Sequence, residues 1–265
     1  PFVPEKADNG AKRHGSHENQ AWTGLYLARA YTENKKYNDA TKIFTEAIHT
    51  ATKAKAYNAA GYLYSYFGDL YQHTLQANEE IRIRKKATEC FLKAGNKRSY
   101  ALSFRDLARP WALKDSINVA ISLLKKANQL TTALNDSKGM LSVASCLGNT
   151  YCQANKLDSA KYYLSLAMQL DTTDVAANSI AVGQLYLKLG NLDSARFYAA
   201  KADRKSENQY LPASRLMLLS NIEKANHNPE KAFEYLVQSD NLLDSLYDDE
   251  NEINVANAER QYTHV

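Results

Sequence analysis

The chain has little of what interrupts or staples regular structure: 10 glycines, 5 prolines and 3 cysteines in 265 residues. Strand-like alternation of polar and apolar residues is absent too, so an all-helical chain is expected. The cysteines, Cys90, Cys146 and Cys152, are odd in number and show no CxxC spacing, which excludes a disulfide framework and a zinc site. Cys146 and Cys152 fall on different faces of a helix, and all three are expected to be buried as small apolar side chains. No run of about 18 apolar residues exists, so nothing in this segment is expected to span a membrane. Neither sign of charge dominates: 33 Lys and Arg are interspersed with 29 Asp and Glu, giving +4, which is not a nucleic-acid footprint.

Catalytic signatures are missing as well. There is no Ser-His-Asp order, no Gly-rich phosphate loop and no HExxH, and His49, His73 and His227 stand singly. His14 and His17 lie three apart without a third ligand, so no metal is expected. The expectation is a chain that is not an enzyme and carries no cofactor. It opens Pro-Phe-Val rather than with Met and reads as a mature or excised piece of a longer protein.

Against these absences stand 18 tyrosines and a repeat. Small residues recur at Ala28, Gly68, Ala108, Gly148, Gly183 and Ser220. Three positions later come Tyr31, Tyr71, Trp111, Tyr151, Tyr186 and the exception, Glu223. Each is followed by a ladder, read as Ala40-Phe44-Ala47, Ala87-Phe91-Ala94, Ala120-Leu124-Ala127, Ala160-Leu164-Ala167, Ala195-Ala199-Ala202 and Ala232-Leu236-Ser239. Helices cross closely only where side chains are small, and the aromatic fills the space beside the crossing. Such a helix pair cannot bury its face alone and needs a stacked neighbour. A repeat array lengthens without a second core, so one domain is expected, with about six helix pairs over 21–240. Residues 1–20 are polar and unpatterned, either a linker or the remnant of a preceding repeat; 241–265 read as a capping or connecting helix.

Local signals refine this picture. Gly190 suits a helix end, and Asp158, Ser159, Asp193 and Ser194 suit helix starts. Between Tyr71 and Ala87 lie seven more residues than in the other pairs, predicting a second helix extended by two turns and capped at Asn78. Pro110 predicts a helix that kinks or stops there.

The small, aromatic and Ala positions together resemble the tetratricopeptide repeat, over about Ala21 to Asp240. The spacing of the small positions, 40, 40, 40, 35 and 37 residues, exceeds that family's 34-residue unit. The resemblance implies a right-handed α-α superhelix whose concave groove, lined by the first helix of each pair, takes a protein or peptide partner. The stripe beside each small residue gives the candidate ligand-binding residues Trp22, Arg29, Tyr62, Asp69, Arg105, Arg109, Asn149, Gln184 and Asn221, with Leu25, Ser65, Leu102, Ser142, Ser145, Ala177, Ile180, Ser214 and Met217 between them.

Arg105 and Arg109, four apart, either clamp a carboxylate or phosphate or pair with Asp69 or Asp106. Asn149, Gln184 and Asn221 suit hydrogen bonding to an extended peptide. The chaperone-binding members of the family hold a terminal carboxylate with Lys and Asn; Leu25 and Arg29 stand at the matching first-repeat positions, so that function is not carried over. The surplus tyrosines, among them Tyr62, Tyr64, Tyr66, Tyr162 and Tyr163, are expected in half-buried helix packing. The tail, with Asp244-Ser245-Leu246-Tyr247 and Glu259-Arg260-Gln261-Tyr262, resembles the segment after such arrays in bacterial membrane sensors. That implies the sensory or scaffold part of a regulator tethered to a membrane through another segment, periplasmic or membrane-associated. A free scaffold subunit, cytoplasmic, and a sensor of a small ligand such as a glycan fragment remain alternatives.

Overall fold

A computed structural model describes residues 16–114, 116–171, 175–203 and 210–262, with side chains described as far as Ser245. Among the described residues there are twelve α-helices and no strand. They are α1 (His17–Glu33), α2 (Tyr37–Lys53), α3 (Tyr57–His73), α4 (Ala77–Lys93), α5 (Lys97–Leu113), α6 (Ile117–Ala133), α7 (Ser137–Gln153), α8 (Leu157–Leu170), α9 (Val175–Lys188), α10 (Leu192–Lys201), α11 (Leu211–Ala225) and α12 (Pro229–Tyr262). The described residues fall into two compact units, one of 16–134 with 257–262 and one of 135–256. In the first, α1–α2, α3–α4 and α5–α6 form helix pairs, and α2 packs on α3 and α4 on α5. The second holds the pairs α7–α8 and α9–α10, with α11 packed on both α9 and α10. In its last pair, Ser220 Oγ donates to the Ala232 carbonyl at 2.7 Å and Ser239 Oγ to that of Ala213 at 3.0 Å, joining α11 to α12.

The regularity comes from the turns. From α1 to α8 a new helix begins every 20 residues, and each of the first seven is 17 residues long. After α1, Lys35 takes φ 57°, its N–H bonds to the Thr32 carbonyl, and the Lys36 N–H reaches back to Tyr31 at 2.8 Å. These two hydrogen bonds consume carbonyls that the helix end would otherwise leave unsatisfied. The same long reach-back ends on Tyr71, Trp111, Tyr151, Tyr186 and Glu223. The repeating aromatic is thus also the residue whose carbonyl closes the turn. In the second unit its ring also meets the partner helix: Tyr151 stacks on Tyr163 at 5.6 Å and Tyr186 on Tyr198 at 5.5 Å. Glu223, the exception, replaces the stack with a contact of its buried carboxylate to Arg196 at 3.4 Å.

The ladder residues fill the space between paired helices. Ala40, Phe44, Ala120, Leu124, Ala160 and Leu164 are all at most 2% exposed. Gly148 shows why the facing position must be small, since a Cβ there would stand 2.5 Å from Leu164 Cγ.

Four local expectations are corrected, that for Pro110 only in its stop. α4 carries no two-turn extension and is as long as α2. Its ladder is Glu80-Arg84-Ala87, seven residues before the one read from sequence, and Ala94 is an exposed C-cap. Seven residues are close to two turns, so both readings lie on one helix face, and Ala87 and Phe91 are indeed buried. Asn78 is not the cap; it lies inside α4, where it accepts a hydrogen bond from Lys114 Nζ. Pro110 does not stop α5, which runs on to Leu113 before Ser116 closes the turn on Trp111. Pro110 sits in the last turn with its ring fully buried, so its packing offsets the single lost hydrogen bond. At α10 the side-chain cap is Asn191, accepting from the Ser194 N–H at 2.9 Å, with Asp193 in the first turn, while Gly190 has φ 75°.

Candidate functional site

In the first unit, the predicted stripe residues are engaged with their own chain. Trp22 lies 5.6 Å from Tyr62, which meets the edge of Phe91 at 5.1 Å and shares a 2.9 Å hydrogen bond with the Ser99 hydroxyl. The Arg29 guanidinium covers Tyr66 at 4.5 Å and pairs with Glu33 at 3.5 Å. Arg105 holds Asp106, and Arg109 reaches Glu80 at 3.3 Å. Both arginines of the candidate clamp therefore have carboxylates of this chain beside them.

Beneath them lies a buried ion network. Glu80 and Arg84 occupy the two ladder positions that hold Ala and Phe or Leu in α2, α6 and α8, with side chains 2% and 5% exposed. Arg84 Nε donates to Glu80 at 2.8 Å and its Nη2 to Asp69 at 2.9 Å, with Gln72 at 3.3 Å. Burial pulls the Arg84 guanidinium pKa down, but Asp69 and Glu80 more than offset this and hold it above its usual value. Alternating charge thus runs Asp69, Arg84, Glu80, Arg109, with both ends partly in solvent. Gly68 makes room for it, since a Cβ there would lie 2.9 Å from Arg84 Cγ. The sequence reading missed Glu80 and Arg84. A signal was present: Ala40, Ala120 and Ala160 sit on a period of 40, which puts the missing ladder at residue 80.

In the second unit, the structure brings Asn149, Gln184 and Asn221 together. They line one cavity of about 490 Å³, with Ala177, Ile180 and Ser214 of the predicted stripe. The three amides come from equivalent places on α7, α9 and α11, one residue after Gly148, Gly183 and Ser220, and all three are exposed. Buried Ile180, Ala181 and Cys152 supply apolar surface, and Gln153, Leu187 and Lys188 complete the wall. Ser145, also on the predicted stripe, is used internally: it bonds Asn178 at 2.7 Å, and Asn178 donates to Asp171 at 2.8 Å, tying α7 to α9. Cys152 and Lys188 were not among the sequence candidates. An amide offers a donor and an acceptor at once, as a peptide unit does, so a row of them can pair with a main chain whatever its side chains.

Among the described residues no group of three His, Cys, Asp or Glu is placed to hold a metal, and no helix is long and apolar enough to cross a membrane. His14 and the end of the tail, with Glu259 and Arg260, lie outside the residues whose side chains are described.

No protein-family model matches the chain, and no curated protein matches it in sequence. Solved structures resemble it in fold. Aspartyl phosphate phosphatase F from Bacillus subtilis matches with a TM-score of 0.72 and 15% identity, over 90% of this chain and 63% of that one. A Rap protein complexed with competence and sporulation factor matches with a TM-score of 0.67 and 14% identity, over 93% and 69%. A signal transduction ATPase with numerous domains and a tetratricopeptide repeat sensor, from Pyrococcus horikoshii, matches with a TM-score of 0.70 and 14% identity. That match covers 94% of this chain but only 41% of the ATPase.

Proposed function

We propose that this chain, whose fold is that of the tetratricopeptide repeat, is a non-catalytic module that binds an extended protein segment or peptide. The carrying observation is the convergence of Asn149, Gln184 and Asn221, from three successive repeats, on one cavity with an apolar floor. Packed helices lie about 8–10 Å apart, and an extended chain advances about 3.3 Å per residue. Amides on neighbouring first helices therefore meet roughly every third residue of a bound strand. Their exposure favours an open groove that a chain can lie along.

The second part of the proposal is that the module serves as the sensory or scaffold portion of a bacterial regulator. It draws on two of the fold relatives, one solved with a competence and sporulation factor and one carrying a repeat sensor. Peptide selection on a random display library, followed by titration of the selected peptides, tests the binding mode. Replacing Asn149, Gln184 and Asn221 together by Ala should weaken every selected peptide at least about tenfold, since each lost hydrogen bond is worth about 1 kcal/mol. Binding left unchanged by the triple substitution refutes the groove.

A further inference from the structure

The outward side of the second helices changes along the chain. Two positions after the first ladder residue, α2, α4 and α6 expose Lys42, Arg82 and Ser122, and α12 exposes Glu234. At the same position α8 and α10 expose aromatic rings, Tyr162 at 64% and Phe197 at 63%. The ladder does not call for these rings, since Ala160, Leu164, Ala195 and Ala199 already fill the buried side of their helices. Each ring is nevertheless braced. Tyr162 meets Tyr163 at 83° with centroids 5.0 Å apart, and Tyr163 is the ring that stacks on Tyr151 of α7. Phe197 meets Tyr198 in the same way, at 87° and 5.2 Å, and Tyr198 stacks on Tyr186 of α9. A carboxylate stands one turn before each ring and a cation one residue before it: Asp158-Lys161-Tyr162 and Asp193-Arg196-Phe197.

At α8 these groups share a cavity of about 480 Å³, whose described lining comes from that helix: Asp158, Lys161, Tyr162, Ser165, Leu166 and Gln169. The volume is that of a small-ligand site, but the lining is more polar than is usual for one. Beside the ring and Leu166 stand a carboxylate, an ammonium, a hydroxyl and an amide, all on exposed residues, so donors and acceptors lie together on one face. A protein partner seated on an aromatic ring needs a close-packed rim that keeps water out, which one leucine does not supply. An ionic ligand of either sign meets a like charge as well as an opposite one. A sugar ring matches the whole set. One of its faces is C–H surface that can lie on an aromatic ring, and its rim is hydroxyls, each a donor and an acceptor at once.

We propose that the outer face of α8 is a carbohydrate-binding site, in which the Tyr162 ring stacks on the apolar face of a neutral sugar while Asp158, Lys161 and Gln169 take its hydroxyls. The site is built on a second helix, whereas the three amides stand on first helices, and the inference does not rest on the peptide reading.

The intact chain is applied to an array of neutral gluco-, galacto-, manno-, xylo- and chito-oligosaccharides, with uronic-acid and sulfated glycans as charged counterparts, and the strongest binder is titrated by calorimetry. Binding to at least one neutral series is expected. Tyr162→Ala should weaken it at least about tenfold by removing the stacking face, while Tyr162→Phe retains it. Melting curves establish that both variants are folded. Asn149→Ala with Asn221→Ala should bind the sugar as the wild type does. No neutral sugar bound, binding confined to charged glycans, or equal binding by wild type and Tyr162→Ala overturns the proposal. Loss of sugar binding in the amide double variant places the sugar elsewhere and overturns it too. Display-selected peptides that depend on Tyr162 and not on the amides, with no sugar bound, make this face a protein-docking surface instead.

Discussion

Removing Glu80 alone should damage the first unit far more than removing Glu80 and Arg84 together. The Glu80 carboxylate is 2% exposed and faces Arg84 at 2.8 Å and Arg109 at 3.3 Å. Glu80→Ala strips the buried Arg84 of its inner partner, and breaking a buried pair in this way costs about 3–5 kcal/mol. For a chain of this size each kcal/mol moves the melting temperature by about 2–4 °C, so a fall of roughly 6–20 °C is expected. Arg84→Leu strands Glu80 in the same way, leaving only the long contact to Arg109. The double variant Glu80→Ala with Arg84→Leu restores the ladder seen at Ala120-Leu124-Ala127 and Ala160-Leu164-Ala167. A leucine at 84 would meet Gly68 as Leu164 meets Gly148. Asp69 and Arg109, 44% and 42% exposed, can return to water. Replacing a buried pair by packed apolar groups is often neutral or stabilising by about 1–4 kcal/mol, so the double variant should melt at or above the wild type. Both tryptophans, Trp22 and Trp111, lie in the first unit, so tryptophan fluorescence in a urea titration reports the loss where it occurs. Two results would refute the reasoning: single variants that cost under about 1 kcal/mol, as exposed pairs do, or a double variant as unstable as the sum of the singles.

Two further substitutions probe the turns and the crossings. Gly148→Ala places a Cβ 2.5 Å from Leu164 Cγ and 3.2 Å from the Leu164 backbone nitrogen; overpacking of this kind should cost about 1–3 kcal/mol in chemical denaturation, and a neutral outcome would mean that α7 and α8 can separate freely. Leu75 holds φ 56° with its side chain 82% exposed. Left-handed backbone costs an L-residue roughly 1–2 kcal/mol, and Gly removes that cost while adding freedom to the unfolded chain; Leu75→Gly should therefore raise stability by up to about 1 kcal/mol, and a clear loss would show that Leu75 makes contacts its exposure conceals.

The recurring small residue, the aromatic three positions later and the alanines of the second helix were enough to read an all-helical array of pairs. Each is a local steric requirement repeated at a near-constant spacing, and sterics of that kind are written in residue size. The same spacing identified Asn149, Gln184 and Asn221 as equivalent positions, because one residue beyond a helix crossing is a fixed rotation around the helix. It did not reveal the ladder of α4. Charged residues at packing positions read as solvent-facing, and Ala87-Phe91-Ala94 supplied a decoy two turns later on the same face. Only the tertiary structure, by bringing Asp69, Gln72 and Arg109 from α3 and α5 onto Glu80 and Arg84, makes burial of those charges tolerable. It also decided that α5 passes through Pro110 and that Lys188 shares the cavity of the three amides. Neither is written in local residue size: the first depends on what packs around a proline ring, the second on which side chains of separate helices share one space.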